Sequence, residues 1–588
     1  MSGIEIAVLV VRVVPVAFKA AVEAWRILDD AITFDDDTED LAIRLETVKA
    51  HLGIWAANSG LTNGKLVPAL LPLEELLERT LRRIRDLIIE VEQQGKKYGI
   101  VTKEPGESGS KRMTAAVIQM RRSLHSIITS SRSETNLGNL VEREVSSYSK
   151  AERNETSVSR RVYWAIHDKK KFEEFIDMLE MHVRGLQNFT IDTDRKKIQQ
   201  QGTRLALEII HGLSQPEALS QLRHVSGWDD EFSQIDVNSL AQWKSIVLQR
   251  TPPLGMSSSK AEDWSLAGSS GENRSRIRFL KKGCIDPEVT YLFEKKEYDM
   301  NISDDLKDLL RERIRKLVSL LGGSGAQRKL HTLQAVGYLD DPDYHCWWIV
   351  FQFPQSPMDS FELPSSEPLS LHNLFSSPLK PALEARYRLA KRLVDTFSRL
   401  YGSDWMHKGI NSKNIIFPQV YSEASFSGFG STQMALVQGF NYSRQLTQAQ
   451  TIDRGKVLND LESALYRHPS YQGEAASGYQ IHYDIYSLGL VLLEIALWGP
   501  LIDFLAAKSR PGKEPPIALS PDMRRFHEAE AIELKRRVMI RVVHELAYRV
   551  GTKYKEIVQW CLNLDGPVTA MEFYNMVAIP LDELCGQS

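Results

Sequence analysis

A Ser-, Gly- and Pro-rich stretch from Thr251-Pro-Pro-Leu-Gly to Ser275 divides the chain into parts with different residue patterns. It carries little apolar material to bury, so it reads as a linker or surface loop with a domain boundary near 255–275. Before it, apolar residues recur at helical spacing. After it, short β-like runs alternate with helices. At 588 residues the chain exceeds one ordinary core, and a prior of roughly 100 to 200 residues per domain gives two to four domains.

The hydrophobic fraction of 43% and charged fraction of 25% are those of a globular chain. A net charge of -3 gives no global reason to expect a nucleic-acid partner. Cys284, Cys346, Cys561 and Cys585 never fall at C-x-x-C spacing, which argues against a zinc site or a disulfide framework and fits a reducing, cytoplasmic setting.

The apolar run Ile4 to Leu28 raises the question of a signal peptide or membrane span. Glu5, Arg12, Lys19, Glu23 and Arg26 interrupt it, and no uninterrupted run approaches the roughly 20 apolar residues a spanning helix needs. At about 100° per residue these charges fall within a sector of roughly 60°. The segment is therefore expected to be a helix with a narrow polar stripe and a broad apolar face that includes Ile6, Leu9, Val10, Val13, Val14 and Phe18, with Pro15 placed to kink or divide it. Two readings stay open: a helix buried in a bundle, or one able to leave the bundle and enter lipid.

Further helices are expected over Leu41 to Trp55, over a seam of Leu77, Leu81, Ile84, Ile88 and Val91, from Met113 to Ile127, and from Trp164 to Phe189. Weaker helical pattern from Asp194 to Arg250 reads as a brace between domains. The start Met1-Ser-Gly-Ile-Glu-Ile, the segment Arg44 to Trp55, the turn Lys97-Tyr-Gly99 and Trp164-Ala-Ile-His-Asp-Lys-Lys-Lys-Phe172 together resemble the fungal HeLo, or prion-inhibition and propagation, domain over roughly residues 1–200. That resemblance implies an amino-terminal helical bundle that executes cell death at membranes, with the first helix as its membrane-active element.

Beyond the linker, the order is strand (Thr290 to Lys296), helix (Asp304 to Leu321) and two strands (His331 to Tyr338, Cys346 to Phe353). The run His407-Lys-Gly-Ile-Asn411-Ser-Lys-Asn414 then resembles a protein-kinase catalytic loop, in which His-Arg-Asp is followed after four residues by Asn. Gly439-Phe440-Asn441 stands at the Asp-Phe-Gly position, Tyr466-Arg-His-Pro469-Ser470 resembles the end of an activation segment, and Asp484 to Trp498, with Gly489, resembles the helix anchoring the large lobe. The implied architecture is an all-α HeLo-like bundle (1–200), a helical brace and linker (201–275), and an α+β bilobal kinase-like fold with lobes at 276–360 and 370–588.

Catalysis is not expected of this second domain. Gly409 replaces the proton-accepting Asp and Gly439 the magnesium-binding one, and a glycine side chain does neither job. No Gly-x-Gly-x-x-Gly loop precedes Lys296; Lys281-Lys-Gly283 is a poor substitute. Lys296 with Glu312 and Asn414 form a candidate nucleotide site, so ATP is left open, without productive magnesium and with no metal site. The alternative reading makes Lys296 and Glu312 ordinary solvated charges. His407 reads as structural, and Asp484 as a helix cap that also binds the loop backbone.

The leading functional expectation is a signalling and cell-death effector whose pseudokinase controls the bundle, with homo-oligomers, a protein trigger, membrane lipid as partner, and a cytoplasmic protein recruited to the plasma membrane. The alternatives are a divergent Ser/Thr kinase and a soluble adaptor.

Overall fold

The computed structural model describes residues 13–34, 36–103, 115–130, 163–189, 192–224, 232–249, 259–260, 276–280, 290–323, 326–353, 369–378, 380–417, 435–445, 461–472, 478–504 and 528–586. The chain forms two compact units, residues 1–245 and 246–588.

In the first unit, helix α1 (Val13–Ala31) carries Pro15 in its first turn, and the residues before Val13, on which a kink or division would turn, lie outside the described residues. Val14, Ala17, Ala21, Ala24, Trp25 and Leu28 are its buried face. The three alanines on that face let α1 lie close along α3 (Glu74–Gln93), which buries Leu77, Leu81, Ile84, Ile88 and Val91 at alternating spacings of four and three. The outer face is mixed rather than a narrow polar stripe: Val16, Val22 and Ile27 are exposed beside Lys19, Glu23 and Arg26.

Helix α2 (Glu39–Asn58) is buried along most of its length and packs against α4 (Ala115–Ser130) and α5 (Lys169–Gln187). Arg44 on α2 pairs with Asp177 and, at 3.0 Å, with Glu180 of α5.

The first unit is not purely helical. Strands β1 (Ile32–Thr33), β2 (Ile100–Lys103) and β3 (Tyr163–Ile166) form a sheet in the order β1-β3-β2. Trp164 thus lies in a strand opposite Thr102 and Ile32, not at the start of the following helix. Asp168 stops the strand and starts α5: its backbone is extended and its carboxylate accepts the Lys171 N–H at 3.2 Å. Gly99 closes the turn before β2 at φ +74°, where a Cβ would stand 2.3 Å from the Asp168 carbonyl oxygen.

Helices α6 (Asp192–Gly212), α7 (Pro216–His224) and α8 (Val237–Leu248) follow. α6 packs on α2 and α4, and so does α7, so these two helices belong to the first core, and the first unit runs to residue 245. Buried Lys244 donates to the Ile210 and His211 carbonyls at 2.8 and 3.0 Å, placing a cation on the carbonyl end of α6.

In the second unit, β4 (Ser259–Lys260), β5 (Arg276–Leu280), β6 (Thr290–Glu297), β7 (Gln334–Asp341) and β8 (Cys346–Gln352) form one sheet in the order β4-β7-β8-β6-β5. β4 arises inside the stretch read as linker and pairs parallel with β7. Phe293, Leu339, Cys346, Trp348 and Val350 cluster within the sheet, and α9 (Asp304–Gly322) packs against β7.

The helical part holds α10 (Leu383–Gly402), α11 (Ile481–Leu497) and α12 (Ala547–Leu562). β9 (Leu369–Ser370), β10 (Ile415–Phe417) and β11 (Leu436–Val437) pair in the order β11-β10-β9. α11 is buried on nearly every residue, as an all-round apolar sequence requires. Gly489 allows its contact with α12, since a Cβ there would stand 2.7 Å from the Cys561 Cβ. Among the described residues, no helix is long and apolar enough to cross a membrane.

Gly64 offers a control for Gly99: it also has positive φ (+71°), but nothing lies within 4 Å of an added Cβ. Gly64→Ala is expected to destabilise the first unit by about 1 kcal/mol of backbone strain. Gly99→Ala adds a clash with a backbone oxygen and should cost at least ~2 kcal/mol more in urea unfolding; equal costs would contradict the packing described.

Candidate functional site

The site in the second unit is built around the loop from Trp405 to Phe417. Asp484, fully buried in the first turn of α11, accepts the His407 N–H at 2.7 Å, the Lys408 N–H at 2.8 Å and the Tyr479 hydroxyl at 2.6 Å. It is not the helix cap: Gln480 holds that position, without a side-chain cap. Burial pushes the Asp484 carboxyl up to about 6 against the opposing pull of those donors. The carboxylate holds a strained stretch, because Lys408 has φ +65°.

His407 is buried, and its Nδ1 accepts the Gly409 N–H at 3.2 Å. Nε2 therefore carries the proton and donates to the Gln438 carbonyl at 3.0 Å. Both ring nitrogens are engaged, and the ring packs between Phe397 and Phe440. This histidine ties two strands of chain together and has no nitrogen left for proton transfer.

Asn414, Gly409 and Gly439 meet in one contact. The Asn414 amide donates to the Gly409 carbonyl at 2.5 Å, while the Asn411 side chain accepts the Asn414 N–H at 3.0 Å. Gly439 has φ +87°, and a Cβ on it would stand 2.2 Å from the Asn414 Nδ2. A Cβ on Gly409 would stand 3.1 Å from the Gly439 carbonyl oxygen. The two glycines let these segments close on each other, with Asn414 filling the space that a side chain at 439 would take.

From the sheet side, buried Glu294 on β6 completes the closure. Its two oxygens accept the Gly439 and Phe440 N–H groups at 2.9 and 3.1 Å. Lys296, two residues along the same strand, is buried with its ammonium 4.7 Å from the Tyr442 ring centre. Glu312 pairs with Lys316 one helical turn on, at 3.1 Å, and so is not the partner of Lys296. Among the described residues, no group of His, Cys, Asp and Glu is arranged to hold a metal ion.

Pro469 begins a short turn (Pro469–Tyr471) behind the loop, where the His468 Nδ1 accepts the Ser470 N–H at 3.2 Å. Burial holds that histidine down at about 4. Of the expected membrane-active residues, Val14 is buried and Val13 and Phe18 are half-buried; Ile6, Leu9 and Val10 lie outside the described residues, as does the side chain of Asn441.

Sequence reasoning missed Glu294 and Glu494. Glu494 is fully buried on α11 and accepts the Tyr466 hydroxyl at 2.7 Å, the Leu501 N–H at 2.7 Å and the Ser412 hydroxyl at 3.3 Å. Desolvation pushes its carboxyl up to about 8. The available signal was an acid inside the apolar run Leu492-Leu-Glu-Ile-Ala496, a place where only a bonded carboxyl is tolerated.

Residues 6–222 match the HeLo family model, described as prion-inhibition and propagation. The matched span covers α1 through most of α7 and does not reach residues 246–588. No curated protein matches the chain. The HeLo span therefore lies within the first unit and takes in residues 201–222, which the sequence pattern alone separated from it.

Glu494 sets a pH dependence for the second unit. A carboxyl whose folded value lies above its unfolded value binds its proton more tightly when folded, so its stabilising contribution is present at low pH and lost as pH rises. With a shift from 4.5 to about 8, that loss runs on past neutrality. Stability of the second unit should fall between pH 6.5 and 8, and Glu494→Gln should flatten that fall in denaturant titrations. An unchanged slope in the Gln variant would contradict the assignment.

Proposed function

We propose that the chain is a signalling and cell-death effector of the fungal incompatibility type, in which a catalytically silent, kinase-like unit controls a membrane-active HeLo unit. The HeLo match over residues 6–222 supports the effector half. For the other half, the supporting pattern is a sheet with β5, β6, β8 and β7 as successive neighbours, a helix between β6 and β7, and a helical part carrying the His407 loop. That is the strand order of a kinase amino-terminal lobe followed by its large lobe, a likeness of architecture alone.

The observation that carries the silent reading is the closed centre. Phosphoryl transfer needs magnesium held by an acid after the 436–437 strand and by the loop Asn, plus an acceptor for the hydroxyl proton. In this chain Gly409 and Gly439 stand where the two acids are needed, the Asn414 Nδ2 is bonded to the Gly409 carbonyl, and Glu294 sits on the Gly439 and Phe440 N–H groups. A carboxylate in that place repels the phosphates that an active site must attract. Asp484 and His407 keep the loop in shape without taking part in chemistry.

In this reading the resting protein is cytoplasmic. A protein trigger or a modification shifts the kinase-like unit, chains self-associate, and the HeLo unit engages the plasma membrane through its amino-terminal helix. The exposed Val16, Val22 and Ile27 on α1 supply apolar surface for that step.

Two measurements on the full-length protein test the proposal. Magnesium-ATP is expected to give no thermal stabilisation and no autophosphorylation; phosphate transfer that is lost in Lys296→Ala would establish a divergent kinase instead. Deleting residues 1–28 is expected to abolish liposome flotation of the activated protein. Flotation that survives the deletion, or is absent from the intact protein as in a soluble adaptor, would sink the membrane role.

A further inference from the structure

Helix α1 ends in Asp29-Asp30-Ala31 and has no basic residue in its last turn. Acids there face the negative end of the helix dipole, so this end of α1 is electrostatically unfavourable on its own. The compensation comes from other helices. Asp29 pairs with Lys49 on α2 and, at 3.4 Å, with Arg121 on α4. Arg121 also pairs with Glu46 of α2, and Lys49 stands 3.7 Å from the same carboxylate. Among the described residues, these contacts join two acids and two bases from three helices in one cluster. Glu46 is buried, and desolvation raises its carboxyl while Lys49 and Arg121 pull it down.

We propose that Asp29, Glu46, Lys49 and Arg121 form an electrostatic latch that holds the end of α1 on the bundle, and that opening it lets α1 detach as a unit while the other helices stay packed. The cluster suits this role because it is balanced only when complete. Removing either base leaves two carboxylates, one of them buried, against a single cation, and the repulsion falls on the one helix whose own end already disfavours acid. Beyond the cluster, α1 is held by its apolar face on α3, where three of the six buried residues are alanines that bury less area than larger side chains, by the turn Leu61–Asn63, and by the β1 pairing that follows Ala31. The bundle has a second ion pair between helices, Arg44 with Asp177 and Glu180, which does not involve α1. It provides an internal control of similar chemistry.

The test is hydrogen exchange by mass spectrometry on the full-length protein, comparing α1 amides with those of α2. Arg121→Gln is expected to lower protection across Val13–Ala31 by about tenfold relative to α2, the scale for losing a partly exposed ion-pair partner. Arg44→Gln should leave the ratio between α1 and α2 unchanged, and Glu46→Gln added to Arg121→Gln should restore protection in α1 by rebalancing the charge. Loss of protection in all helices together, no loss in α1, or failure of the rescue overturns the latch. The latch does not rest on the membrane role: a loosened α1 without any gain in liposome flotation would leave the latch standing and count against the membrane reading.

Discussion

Gly439 is a position where the backbone must turn through positive φ while the Asn414 amide lies within 2.2 Å of any Cβ. Only glycine satisfies both conditions, and the rest of the second unit's centre follows from it. With no side chain at 439, Asn414 can lean in and bond the Gly409 carbonyl, and the bare backbone N–H groups of Gly439 and Phe440 face the sheet. Buried donors need an acceptor, and Glu294 supplies one with both oxygens. The same interaction fixes the Phe440 backbone, so that its ring packs on His407, whose backbone N–H is in turn held by Asp484.

This chain of contacts explains how the loop keeps its shape with glycine at 409 and 439. Asp484 and Glu494, both on α11, anchor the loop from below through His407, Lys408 and Ser412. The loop is thus framed by two buried carboxyls carried on one helix.

Much of the fold was legible from periodicity and spacing. The seam from Leu77 to Val91 marked α3 because its positions bury one face, and the His407 to Asn414 spacing located the loop. What escaped was set by partners distant in sequence. Trp164 sits in a strand because Ile100–Lys103 lies beside it and Asp168 caps the next helix, which no local pattern encodes. Helices α6 and α7 have a weak pattern of their own yet pack into the first core against α2 and α4. Glu294 looks like one more charge in Glu294-Lys-Lys-Glu297; its burial comes from the Gly439 backbone, far along the chain. Glu312 was matched to Lys296 by spacing, but the nearer Lys316 on its own helix takes the pair.

The central claim is that the chain's own side chains close the second unit's centre. Hydrogen exchange at the Gly439 and Phe440 amides of the full-length protein, with and without magnesium-ATP, tests it most directly. The account predicts that both amides are protected to the level of α11 and that nucleotide leaves them unchanged. Rapid exchange at both, or protection that appears only when magnesium-ATP is added, would contradict it.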